Sequence, residues 1–138
     1  MKPAVEKAIA DLGSGLPGHA VRVQEDPDGG AFVIVDGVDI GASFAPSVSW
    51  IGFQITWACP DPDVYPHFID PGIRYVGTGE APNKYPEGDL PTAMTRGAQM
   101  PGFNLPAIQV SRRSNHHVAE TDSPLRKLLR VTEFLTTR

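Results

Sequence analysis

The chain carries one cysteine in 138 residues, Cys59, so it can form no internal disulfide and no multi-thiolate metal centre. It has no apolar run long enough to cross a membrane. The opening segment MKPAVEKAIADLG lacks the apolar stretch of a secretory signal, so a cytoplasmic location is expected. Positive charge is not in excess either: the formal net charge is -4, which leaves no broad basic field for nucleic acid or an anionic membrane. Repeats and low-complexity tracts are absent. The length fits one domain, residues 1–138, and 41% hydrophobic composition is enough for a core.

Glycine and proline are abundant, with fourteen of each, and they crowd between Pro60 and Pro106. That stretch should be loop-rich yet stiffened by turns. Before it, Val5, Ala8, Ile9 and Leu12 fall on one face of a helix over 3–12, with Pro3 in the first turn and Gly13 as its stop. Alternation predicts strands at 19–25 and 31–35, joined by the turn Asp28-Gly29-Gly30. Asp36-Gly37 reads as a type I′ hairpin turn. The run VSWIGFQITWAC, 48–59, is the plainest strand. Its period of two puts Ile51, Phe53, Ile55, Trp57 and Cys59 on the core face and Trp50, Gly52, Gln54, Thr56 and Ala58 on the other. Pro60 and Pro62 cannot donate to a ladder and end it. A short strand is expected at 73–76, no sustained period runs through 77–106, and AIQVS at 107–111 is an apolar run of either type. Ser123 or Asp122 caps a last helix over 123–136, with Leu125, Leu128, Leu129, Thr132 and Leu135 inside and Arg126, Lys127, Arg130 and Glu133 outside. The sum is an α+β domain with helices on one side of a sheet.

Two features carry chemistry. Cys59 is either the last core position of its strand, as small lone cysteines usually are, or a nucleophile presented by the proline loop. The segment SRRSNHH, 111–117, gathers Ser111, Arg112, Arg113, Asn115, His116 and His117. Two guanidinium forks, two imidazoles and the hydroxyls suit a carboxylate or an acidic tail, against the plainer reading of a solvated loop before the helix. Metal binding by His116, His117, Glu120 and Asp122 is disfavoured, because adjacent histidines point apart in extended chain and His19, His67 or a distant carboxylate would have to join. Asp61, Asp63 and Asp70 lack the pattern of a calcium loop, and GSGLPG follows a helix where a phosphate-binding turn would precede one. No metal or other cofactor is expected.

A first helix, a meander, then Tyr65-Pro66, Pro71 and Ile73-Arg74-Tyr75 resembles the ubiquitin-conjugating (E2) superfamily, whose fourth strand follows such a Tyr-Pro…Pro segment. The later run AIQVSRRSNHHVAETDSPLRKLLRVTEFL is similar to that of divergent bacterial members. The resemblance covers roughly residues 3–138 and implies a UBC-like fold: N-terminal helix, four-stranded antiparallel meander, Pro-rich connection, C-terminal helix. Active members carry a cysteine well after the fourth strand, preceded by His-Pro-Asn. Here no cysteine lies between Tyr75 and Arg138, Asn104 and Asn115 do not follow His-Pro, and the matching region offers Ala107 to Ser111. A serine there would yield only an oxyester, a poor acyl donor. Cys59 lies on the wrong side of the Tyr-Pro motif to inherit the role.

The resemblance therefore implies a noncatalytic member. It would bind a ubiquitin-like protein, an E1-like adenylating enzyme or a JAB-type peptidase through Tyr65, Pro66 and the 111–117 segment. Two alternatives stand beside it: a conjugating enzyme that uses Cys59, and a small hydrolase or metal enzyme built on His116 and His117.

Overall fold

The computed structural model describes residues 1–82 and 94–138. Over these, the chain is α+β, with one helix at each end and an antiparallel sheet between them. The elements are α1 (Pro3–Gly15), β1 (Val21–Glu25), β2 (Ala31–Asp39), β3 (Phe44–Ala45), β4 (Val48–Ile55) and β5 (His67–Ile69). They continue with β6 (Arg74–Tyr75), β7 (Met94–Met100), β8 (Leu105–Val110) and α2 (Pro124–Thr136). The main sheet has six strands in the order β1-β2-β4-β5-β8-β7, and β3 pairs with β6 in a separate two-stranded sheet. Three X-Pro bonds, Ala45–Pro46, Cys59–Pro60 and Tyr65–Pro66, are cis. No helix among the described residues is long and apolar enough to cross a membrane.

Both helices lie on one face of the sheet because each presents one apolar stripe. Val5, Ala8 and Leu12 of α1 and Leu128, Val131 and Leu135 of α2 join Val33, Val35, Ile51, Phe53, Ile55, Ile69, Ile108 and Val110 in the main core. The opposite face has a smaller core of Ile34, Phe68, Met100 and Ala107, with Phe32, Trp50 and Phe103 against it. It forms because the β7–β8 hairpin turns its tip back over the sheet. A register shift between Thr95 and Ala98 bends β7, and Met100 then sits over Gly52, where a β-carbon would meet its sulfur at 2.6 Å.

Several expectations are corrected here. Helix α1 continues through Gly13 to Gly15. A glycine ends a helix where it takes positive φ, and Gly13 does not; Gly18, at φ 85°, does. Asp36-Gly37 is no hairpin turn. Strand β2 runs through it with a bulge between Val35 and Val38, and Gly37 takes φ 70°. Arg22 on β1 clamps the bulge, its Nε and Nη2 each 2.8 Å from one Asp36 oxygen. Strand β4 stops at Ile55 rather than at 59. Trp57, placed on the core face by period two, lies in the following turn and is 59% exposed. The fourth strand of the meander is His67–Ile69, directly after Tyr65-Pro66, while the expected strand near 73–76 pairs with β3 outside the main sheet. The sheet has six strands where four were expected, because two lie in 94–110, a region read as largely without period; residues 83–93 of that stretch are outside the described residues. In α2, Leu129 is 50% exposed and Lys127 is buried, the reverse of the sequence reading.

Candidate functional site

The Pro-rich loop after β4, the loop after β8 and the N-terminal half of α2 meet around Asp63. Its carboxylate receives three donors. The backbone N–H of Ser114 lies 2.7 Å from Oδ2, and Lys127 Nζ lies 3.0 Å from Oδ1 and 2.9 Å from Oδ2. Lys127 spends its third N–H on Ser114 Oγ at 2.6 Å, so all three donors of the ammonium are used. That satisfaction is what lets a lysine keep only 4% of its surface exposed on the inner side of a helix. Burial alone would raise the Asp63 carboxyl, but the Ser114 N–H and the Lys127 ammonium outweigh it and hold it below the ordinary range. His117 closes the ring: its Nε2–H donates to the Pro60 carbonyl at 2.8 Å, and Nδ1 lies 3.9 Å from Asp63.

Above this pin lies a cleft of about 190 Å³ lined by Arg112, Arg113, Ser114, Lys127, Arg130 and Val131. Four cations face it, but they are not equivalent. Lys127 is neutralised by Asp63. Arg130 lies 2.8 Å from Asp122, a carboxylate that the Val118 N–H and Arg130 hold below its ordinary range. Arg112 and Arg113 instead sit over rings, the Arg112 guanidinium carbon 4.2 Å from the Phe134 centroid and that of Arg113 4.6 Å from the Tyr65 centroid. A cation–π contact leaves the N–H groups of a guanidinium for other partners. Arg138 shares the Phe134 ring, 3.9 Å from its centroid.

The residues singled out in the sequence divide accordingly. Arg112 and Arg113 line the cleft, and Tyr65 packs against Arg113, with Pro66 beside Tyr65 in the chain. Ser111 does not join them, since its Oγ accepts from Gln109 Nε2 at 3.0 Å. Asn115 and His116 are exposed, and His117 points to the proline loop. Cys59 is half-buried against the main core, with its thiol pushed up by burial and then by the Asp61 charge, the opposite of an activated nucleophile. Sequence reasoning missed Asp63, Lys127, Arg130 and Phe134 as parts of the site, and counted Ser114 only as one of the hydroxyls of the 111–117 segment. One signal was present: Leu128, Val131 and Leu135 are spaced for a single stripe, and a stripe through Val131 turns Lys127 inward.

His67, the first residue of β5, is fully buried beside Phe53, with ring centroids 5.2 Å apart. Neither ring nitrogen has a hydrogen-bond partner among the described residues. Burial, and then the Lys127 charge, lower its pKa to about 3, Asp63 pulling only weakly the other way. It stays neutral and is no general acid or base near neutral pH. Among the described residues no three His, Cys, Asp or Glu side chains are grouped to hold a metal ion. No family model, curated protein or solved structure matches the chain.

Proposed function

We propose that this chain is a noncatalytic, E2-like binding module whose partner is a ubiquitin-like protein, with the partner's tail docked at the Arg112–Arg113 cleft. The observation that carries the reading is the Arg113 guanidinium over the Tyr65 ring. It draws the 111–117 segment onto the Tyr-Pro motif, two stretches that the resemblance had linked only by order in the chain. Further support comes from the antiparallel run β1-β2-β4-β5 and the helix at each end; the strand that the resemblance set after Pro71 lies outside this sheet. A tail ending in a carboxylate would meet two guanidinium forks, which suit bidentate bonding.

Conjugation through Cys59 is disfavoured by the raised thiol and its burial. Hydrolysis through Ser114 is disfavoured too. Its hydroxyl oxygen accepts from the Lys127 ammonium, and the carboxylate beside it, Asp63, is held below its ordinary range and is a poor base for activating it. The test is to incubate the protein with a ubiquitin-like protein, its E1-like activating enzyme and ATP. The expected result is a noncovalent complex with no thiol-sensitive adduct. An adduct that disappears in Cys59→Ser would replace the proposal with a conjugating enzyme.

A further inference from the structure

The cleft holds more charge than a carboxylate needs. Of its four cations, Lys127 and Arg130 each have a carboxylate of their own, and neither Arg112 nor Arg113 makes an ion pair with one among the described residues. Two positive charges therefore face the cleft uncompensated. The Ser114 hydroxyl is already engaged, its oxygen accepting from Lys127 and its hydrogen facing the Asp63 carboxylate, so the two arginines carry the site. The Arg112 guanidinium sits over Phe134 and that of Arg113 over Tyr65, so both are held by apolar contacts that consume no N–H donor.

From this charge and donor count we propose that the cleft is a binding site for a phosphate dianion, free or as a phosphate monoester. A monoester carries close to two negative charges near neutral pH and presents three acceptor oxygens, which suits two guanidinium groups, each with several N–H donors. A single carboxylate leaves one arginine without a counter-charge. The site goes beyond the tail-docking reading, since it concerns the charge the cleft accepts, and a phosphate bound there would compete with any tail.

The test is calorimetric titration of the whole chain with inorganic phosphate, phenyl phosphate and acetate at fixed ionic strength, with the arginine Nε–H signals followed by NMR. Both phosphates should bind at least about tenfold more tightly than acetate, roughly one charge-assisted hydrogen bond's difference, and should move the Arg112 and Arg113 signals. Tighter binding of phenyl phosphate assigns the site to a monoester; tighter binding of inorganic phosphate assigns it to the free ion. Arg112→Gln and Arg113→Gln should each weaken binding about tenfold, whereas Arg126→Gln, on the exposed side of α2, should not. Thermal midpoints of the variants show whether each remains folded. Equal binding of acetate, no binding, or binding indifferent to both arginines overturns the proposal. Phosphate binding without affinity for a ubiquitin-like protein would sink the tail-docking reading and leave this one standing.

Discussion

Lys127 and Asp63 form a buried pair whose two N–O distances, 3.0 and 2.9 Å, tie the C-terminal helix to the loop before β5. With Ser114 bonded to both, the pair holds three segments that are far apart in sequence. Breaking it from one side leaves a desolvated charge. Lys127→Met is expected to cost about 2–4 kcal/mol, and the double variant Lys127→Met with Asp63→Leu to recover much of that loss. A urea double-mutant cycle measures the coupling. Simple additivity of the two single losses would show that the pair does not act as a unit.

This pair also marks where the sequence was legible and where it was not. The helix at each end, the apolar stripe through Val5, Ala8 and Leu12, and the alternation of Ile51, Phe53 and Ile55 are local periodicities, and they stand in the structure. The Ser123 cap is likewise visible in sequence, and its side chain accepts from the Arg126 N–H at 3.1 Å. The stripe through Val131 places Lys127 inward, but what makes its burial tolerable, a carboxylate in a distant loop, is not visible in the sequence. Trp57 failed for the opposite reason. Period two carries no information about where a strand stops, and β4 ends before that residue. Of the site, Arg112, Arg113 and Tyr65 were visible as chemistry, but their meeting is tertiary.

His67 makes stability depend on pH. In the unfolded chain an imidazole takes up a proton below about 6.5. In the folded protein His67 stays neutral down to about 3. Between these values the unfolded state binds more protons, so stability falls with pH by up to about 1.4 kcal/mol per unit. Asp63 acts in the same direction but lower. Its contribution is present above the ordinary carboxylate range and is lost as pH falls through its depressed value. Urea midpoints should decline from about pH 6.5 to 4, and His67→Leu should flatten that decline. An unchanged slope in the variant would place the loss elsewhere.

The hairpin tip depends on Gly102. Its φ is 81°, and a β-carbon there would meet the Phe32 ring at 2.3 Å. Gly102→Ala should therefore lift the tip from the outer face of the sheet and cost about 1–3 kcal/mol. Hydrogen exchange should quicken at Met100 to Leu105 while the β2–β4 ladder stays protected. Uniform loss of protection would mean that the tip unfolds only with the whole sheet.

Cys59 should react slowly. Its thiol is half-buried and raised by burial and by Asp61, so alkylation of the folded protein at pH 7.5 should lag the urea-unfolded chain about tenfold or more. Equal rates would show an open thiol and revive its candidacy as a nucleophile.

Calorimetric titration of a ubiquitin-like protein into wild type and into the Arg112→Ala/Arg113→Ala variant decides whether the two arginines are the groups that hold the partner. Loss of both forks should weaken binding by about 2–4 kcal/mol. The fold should lose no more than about 1 kcal/mol for each cation–π contact removed. Equal affinities for the two proteins, with both shown to be folded, would exclude the arginines from partner binding.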